Sequence, residues 1–289
     1  MKELMLAQQG SIEDLNNKEF IFEPKFDGTR VLIYKKGKNI KLINRRNNNI
    51  TYRYPELEDI WKNFRADGIF DGELVVLGKN NLPDFNLLQK REQLESRTKI
   101  EFLSHSHPAT IFIFDVLKAG NKNLTNLQLM KRKEVLKKQV ISSSKISLVP
   151  FTKDGKKLWK EIKKLKMEGV MAKRANGKYE NRRSSSWLKI KNTKTIDAVI
   201  IGYTKEKREI SALVLGAYHN KKLIYIGRVA SGLSERAINE LSKKLIPAKQ
   251  KIEIDTPKKI FFVKPKIIVE IKFLEITKDL KLRAPSLLR

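Results

Sequence analysis

The stretch Glu23-Pro24-Lys25-Phe26-Asp27-Gly28-Thr29-Arg30 joins two runs of alternating apolar residues, 20–25 and 30–36. Alternation with a period of two marks strands, so a lysine ends one strand and an arginine opens the next. Gly28 permits a tight turn and a close approach of backbone to ligand. An ammonium at the end of an apolar strand is partly desolvated, and neighbouring cations lower its pKa, which makes a neutral amine available as a nucleophile. The plainer reading is a strand end closed by a Lys25–Asp27 salt bridge.

Outward from this turn, strands and helices alternate. Gly37 turns the chain into a strand over 40–45, and Pro55 starts a helix with Leu57, Ile60, Trp61 and Phe64 on one face. Residues 69–77 and 110–117 read as strands, and Asp84 caps a helix to about Ser96. Thr125 with Gln128 predicts a capping box for a helix to about Lys138. A further helix carries Leu158, Trp159, Ile162 and Leu165 and leads into a strand over 169–174. Beyond Lys191 the texture changes to about five short strands and one helix, 235–244, which suits a small barrel of the OB type. Residues 192–194 serve as linker, dividing the chain into domains 1–192 and 193–289.

Charge narrows the partners. The 289 residues hold 61 Lys+Arg against 32 Asp+Glu, a net +29. The excess is +18 over residues 1–192 and +11 over 193–289, so the whole body is positive and no detachable tail accounts for it. Such a body fits a phosphate backbone. Absence of cysteine excludes disulfides, cysteine-rich zinc sites and thiol nucleophiles, and three histidines make a histidine-ligated metal enzyme a poor fit. No apolar window approaches the roughly 20 residues that span a bilayer, and Glu3 with two glutamines stands where a signal peptide needs an apolar run. The expectation is a cytoplasmic monomer with no membrane partner.

Four more islands carry charge into strands: Phe70-Asp71-Gly72-Glu73, Asp115 within 112–117, Glu168 to Lys173, and Trp187-Leu188-Lys189-Ile190-Lys191 with two lysines on one face. Each alone reads as a solvated strand end or a wet face.

Together, K-x-D-G-x-R (25–30), D-G-E (71–73), F-D-V-L (114–117), E-G-V-M-A-K (168–173) and W-L-K-I-K (187–191) resemble the covalent nucleotidyltransferase superfamily, specifically ATP-dependent DNA ligases, and most closely the ligase module of bacterial and archaeal end-joining ligases. Leu282-Arg283-Ala284-Pro285-Ser286 resembles the family's last motif. The resemblance implies an α+β chain: an ATP-grasp-like nucleotidyltransferase domain of antiparallel sheets and helices, then an OB-fold β-barrel. It implies that Lys25 attacks the α-phosphate of ATP and forms lysine-AMP, that AMP passes to the 5′-phosphate of a nick in duplex DNA, and that the 3′-hydroxyl displaces it. Lys189 and Lys191 would hold the α-phosphate. Glu73 and Glu168 would serve the ribose and a divalent metal, Mg²⁺ or Mn²⁺. Phe114 would stack on adenine, Glu23 would help read its amino group, Arg30 and Arg45 would contact ribose or phosphates, and Arg283 would orient pyrophosphate. End-joining or repair proteins are the implied protein partners.

Two features depart from that pattern. Leu287 stands where the family places an aromatic residue, and 24 residues before Lys25 leave no room for a leading helical DNA-binding domain, so a minimal two-domain enzyme is expected. The rivals are an mRNA-capping guanylyltransferase and an RNA ligase, which use the same lysine chemistry, and a non-enzymatic nucleic-acid-binding protein. A P-loop is excluded, because residues 72–79 place five residues between the glycines and the 227–232 pair is followed by Leu233. An NAD⁺-dependent ligase would need a cysteine zinc site.

Overall fold

Side chains that alternate between a helix-covered face and a shared cleft build the first of two units, Met1–Asn192 and Thr193–Arg289. The computed structural model describes residues 4–249, 254 and 259–289. The first unit contains β1 (Leu6–Gln9), β2 (Phe20–Lys25), β3 (Thr29–Lys36), β4 (Asn39–Asn44), β5 (Gly68–Val76), β6 (Ala109–Ala119), β7 (Lys122–Asn123), β8 (Ile146–Leu148), β9 (Gly169–Arg174) and β10 (Arg183–Lys191). One sheet runs β4-β3-β5-β6-β7 with β8 parallel to β6; the other runs β1-β10-β9-β2, with β1 parallel to β10.

Helices α1 (Phe85–Glu92), α2 (Arg97–Ser106) and α3 (Leu129–Gln139) belong to the first sheet's side, and α4 (Gly155–Lys164) packs on β9 and β2. Val31, Ile33, Phe70, Ile111 and Ile113 form the core of the first sheet together with Leu57, Ile60 and Leu136. On the second sheet Phe20, Phe22, Val170, Ala172, Leu188 and Ile190 face Trp159 and Ile162 of α4. The odd-numbered partners on these strands, including Lys25, Met171, Lys173, Lys189 and Lys191, therefore look the other way, into the cleft.

Three local expectations change. The Pro55 segment is a 3₁₀ helix, Pro55–Asn63, which buries Leu57 and Ile60 at its period of three. Asp84 does cap α1, accepting from the Asn86 and Leu87 amides, but the helix ends at Glu92 and not near Ser96. The reason is Arg91, fully buried, which pairs with Glu56 at 2.8 Å and donates to the carbonyls of Leu103 and His107 in the returning α2 segment. A continuous helix would carry those carbonyls away. The Thr125–Gln128 capping box does not form: Thr125 Oγ1 donates to Asn123 Oδ1 at 2.8 Å, and α3 begins at Leu129 with Gln128 as its N-cap.

The second unit holds β11 (Lys194–Thr204), β12 (Ala212–His219), β13 (Lys222–Val229), α5 (Glu235–Lys244), β14 (Phe261–Phe262), β15 (Ile268–Phe273) and β16 (Ser286–Leu287). The sheet order is β13-β12-β11-β15-β16, with β14 also on β11, and register shifts at Ile200/Gly202 and Leu215/Gly216 let it curl. The curled sheet is an OB-type barrel with an open seam. Among the described residues β13 and β16 share no ladder; the Leu282 amide to Ile226 carbonyl bond (2.8 Å) and the Leu287 amide to Ser231 carbonyl bond (2.9 Å) tie the edges. Ala198, Leu213, Leu215, Ile226 and Ile271 form its core with Ile238 of α5.

Candidate active site

A cleft of about 1030 Å³ in the first unit is lined by Lys25, Glu23, Arg30, Arg45, Glu73, Phe114, Glu168, Lys189 and Lys191. Nine of the ten residues singled out in the sequence thus share one space. Arg283, the tenth, belongs to the second unit, where it pairs with Glu275 at 3.0 Å.

Strand register explains the convergence. Gly169 lies opposite Lys25 on one side and Lys191 on the other. Its φ of +156° brings β9 so close to β10 that a Cβ would stand 2.1 Å from the Ile190 carbonyl oxygen. Glu168, one residue earlier, then reaches both neighbours: it pairs with the Lys25 ammonium through Oε2 and lies 3.6 Å from Lys191 through Oε1. The carboxylate that pairs with Lys25 is therefore not the nearby Asp27. Gly28 is equally constrained, since a Cβ there would meet the Leu74 carbonyl at 2.4 Å where the chain passes β5.

On the opposite wall Arg30 is paired in register with Glu73. Its guanidinium is engaged by Asp71 through two bonds (2.9 and 2.6 Å), by Tyr179 (3.1 Å) and by the Met5 carbonyl (2.6 Å). Burial opposes this charge, but Asp71 more than offsets it and the guanidinium stays protonated, its pKa raised. The side chain expected to touch ribose or phosphate is thus committed to the pocket wall. Burial pushes the Glu73 carboxyl up to about 8, and the attraction of Lys25 and Arg30 offsets only part of that.

Glu23 is buried, and its carboxylate lies between the ammonium groups of Lys133, from α3, and Lys173 at 2.6 Å. Reading an amino group with this carboxylate would require it to give up a partner. Lys173 Nζ sits 4.1 Å from the Phe114 ring centroid and 4.4 Å from that of Trp187, and the two rings meet edge to face at 5.9 Å. Burial, with Lys133 nearby, lowers the Lys173 pKa to about 8 although Glu23 works against it. Lys189 is also lowered, first by burial and then by Lys191, Arg183, Lys25 and Arg45. Several cations converging without an equal number of carboxylates make a site for a multiply charged anion.

Lys173, Met171 and Trp187, which stand in the quoted motifs but received no role, line this cleft as well, as does Arg183. For the first three a signal existed: the period of two puts Met171 and Lys173 on one face of β9, and Trp187 on the same face as Lys189 and Lys191. Arg183 has the same parity, but the register shift between Ser184 and Leu188 separates it from that run. Among the described residues no group of three or more His, Cys, Asp or Glu could hold a metal by itself. Glu73 and Glu168 nevertheless suit a Mg²⁺-like ion, which commonly takes one or two carboxylates and completes its shell with substrate phosphates.

Residues 4–191 match the family model of the ATP dependent DNA ligase domain, and residues 206–289 that of the ATP dependent DNA ligase C terminal region. The chain belongs to the ATP-dependent DNA ligase family. It is 29% identical over 295 residues to the multifunctional non-homologous end joining protein LigD of Mycolicibacterium smegmatis, covering 98% of this chain but only 37% of that protein. The SPbeta prophage-derived DNA ligase-like protein LigB of Bacillus subtilis is 30% identical over 279 residues, 95% of this chain and 93% of the relative. Among solved structures, a mycobacterial DNA ligase D complexed with ATP and MES superposes with a TM-score of 0.61 at 26% identity, covering 99% of this chain and 94% of that one. The fold of this ligase family accounts for both units, and no helix among the described residues is long and apolar enough to cross a membrane.

Proposed function

We propose that the chain seals nicks in duplex DNA, taking AMP from ATP onto Lys25 and passing it to the 5′-phosphate of the break. The observation that carries this reading is the placement of the Lys25 ammonium against Glu168, with Arg45, Arg183, Lys189 and Lys191 around the same cleft. In the first step Lys25 Nζ forms a bond to the α-phosphorus of ATP while the bond to pyrophosphate breaks. Glu168, already paired with the amine, is positioned to take its proton. Lys189 and Lys191, side by side on β10, hold the charge of the α-phosphate. The chemistry is mostly alignment of groups and compensation of charge.

Phe114 and Trp187 offer aromatic surface to the adenine, and Met171 adds polarisable packing. Glu23 acts through Lys173, which it holds against both rings, and Arg30 acts by fixing β3 to β5 beside Glu73. Glu73 and Glu168 would hold the divalent ion, Mg²⁺ or Mn²⁺, which supplies charge compensation at the phosphates when bound. In the later steps the 5′-phosphate of the nick attacks the phosphorus of lysine-AMP, forming an anhydride as the Lys25 Nζ–P bond breaks and the amine is released, and the 3′-hydroxyl then attacks the 5′-phosphorus, forming the phosphodiester and releasing AMP. Arg283 is assigned to pyrophosphate in the first step. That a related structure was solved with ATP, and that relatives are named for end joining, supports ATP and a repair setting. The partners of a larger assembly would be end-joining or repair proteins.

The test is labelling followed by sealing. With Mg²⁺ and α-labelled ATP, wild type should take up label and seal a nicked duplex, and Lys25→Ala should do neither while keeping its fold. Label from GTP in place of ATP would favour a capping enzyme, and sealing of nicked RNA alone would favour an RNA ligase. Label that persists on Lys25→Ala overturns the assignment.

A further inference from the structure

The ten residues of α4 read Gly155-Lys-Lys-Leu-Trp-Lys-Glu-Ile-Lys-Lys164. At 3.6 residues per turn, Trp159 and Ile162 fall on the face that packs against β2 and β9, while Lys156, Lys157, Lys160, Lys163 and Lys164 fill an opposite arc of about 120°. All five lysines are exposed, and Glu161 at the edge of the arc is the only acid in the helix.

None of these six charged groups forms an ion pair with a described residue. Other helices compensate part of their charge: Arg91 of α1 pairs with Glu56, Lys131 of α3 with Glu134 at 3.3 Å, and Arg236 of α5 with Glu240 at 3.0 Å. Five like charges on a ten-residue helix repel one another and weaken it. Here burial of Trp159 and Ile162 holds the helix together, and the polar face is left with a net charge of +4.

This face looks away from the cleft. Phe22, Val170, Ala172, Leu188 and Ile190 stand between α4 and the sheet, while Lys25, Lys173, Lys189 and Lys191 leave the sheet's other side. With helix and sheet roughly 10 Å apart and a helix radius of about 5 Å including side chains, the lysine tips lie about 15 Å beyond the sheet. The lysine face and the cleft therefore open to opposite sides of the sheet.

We propose that the lysine face of α4 is a second, sequence-independent site for duplex DNA, so that the first unit holds one segment at the cleft and another behind the sheet. A duplex is the partner that the charge fits. The helix is about 15 Å long, and over that length B-DNA carries about nine phosphates, one for every 1.7 Å of axis. The apolar side of α4 is already used in packing, which removes the means by which an amphipathic helix enters a lipid surface. The inference rests on the reading of the cleft as the site that holds the ligated duplex, and AMP uptake and single-duplex sealing report on that reading separately from bridging.

The experiment uses the full chain with all five lysines changed together to glutamine (K156Q, K157Q, K160Q, K163Q and K164Q), a good helix former that keeps the stems. Uptake of AMP on Lys25 without DNA reports that fold and cleft are intact and should not change. Wild type is mixed with a biotinylated duplex and a separate fluorescent duplex, and co-capture of the second by the first is read at rising salt. Wild type should bridge the two, and the variant should lose at least tenfold of that bridging while sealing a nick within a single duplex at the wild-type rate. If all five lysines meet phosphates, the slope of log K against log salt for the second duplex should fall by about 4.5. Equal bridging by the two proteins, or no bridging by wild type at low salt, refutes the site. A variant that loses single-duplex sealing in parallel with bridging assigns the lysines to the ligated duplex and also overturns the proposal.

Discussion

Replacing Lys173 with methionine removes a charge that the fold holds at a disadvantage. The ammonium is buried, and burial together with Lys133 lowers its pKa from 10.5 to about 8 despite its 2.6 Å bond to Glu23. The unfolded chain keeps the ordinary value. Below pH 8 both states carry the proton, and the penalty of burying the charge is present in full. Between about 8 and 10.5 the unfolded chain binds a proton that the folded chain has released, so this lysine's contribution to stability rises with pH. A tenfold difference in proton affinity between the two states is worth about 1.4 kcal/mol, so the contribution should grow by roughly 2 to 3 kcal/mol from pH 7 to pH 10.

Lys173→Met lacks this titration but fills similar space, and Glu23 retains Lys133 as its partner. Urea unfolding of both proteins at the two pH values reads the effect, because titrating groups not coupled to Lys173 cancel in the difference. The stability of wild type relative to the variant should climb by that amount at pH 10. A difference that stays constant from pH 7 to pH 10 would show that the ammonium is hydrated in solution, and the account of the Glu23–Lys173–Lys133 cluster would fail.

Glu73 provides a titration in the other direction. Its carboxyl, held at about 8 by burial, binds a proton more tightly in the folded chain, so its contribution is complete below about pH 4.5 and is lost as pH rises through 8. Glu73→Gln should flatten that decline and at the same time suppress AMP transfer to Lys25; a decline as steep as in wild type contradicts the burial argument. Arg132 makes two 2.8 Å bonds to Asp115, and both side chains are fully buried. Arg132→Met should therefore destabilise by about 3 to 5 kcal/mol in denaturant unfolding, and a loss under about 1 would mean that Asp115 is not left stranded. Gly169→Ala places a methyl 2.1 Å from the Ile190 carbonyl at a φ of +156°, so β9 and β10 must part where Glu168 meets Lys25 and Lys191. AMP uptake should fall at least tenfold while global unfolding remains cooperative, and unchanged uptake would show that the strands can shift freely.

Legibility followed the range of the interaction. Strand β2, strand β9 and helix α5 were readable to the residue because alternation and periodicity are local properties; the structure adds Ser234 as the cap of α5, accepting from the Ala237 amide at 3.2 Å. The break between α1 and α2 was not readable. It depends on Arg91 finding Glu56, 35 residues earlier in the chain, and the carbonyls of a helix that has yet to form. The capping box at Thr125 had the right letters, but Asn123 competes for the hydroxyl at a distance of two residues.

The candidate site divides in the same way. Residue type and strand parity sufficed to assemble its side chains, whereas their partners could not be read. Arg30 bonds Asp71 and Glu23 bonds Lys133 and Lys173, each across a separate strand or helix. Lys25 shows why. Asp27 is two residues away, yet the ammonium is paired with Glu168, 143 residues distant, because the β2–β9 register sets Gly169 opposite Lys25 and the β9–β10 register sets Lys191 beyond it. A partner two residues on would remain beside Lys25 in any fold of the chain. A partner delivered by register is present only when β2, β9 and β10 are all in place, so the carboxylate assigned to take the proton arrives together with the two lysines assigned to the phosphate.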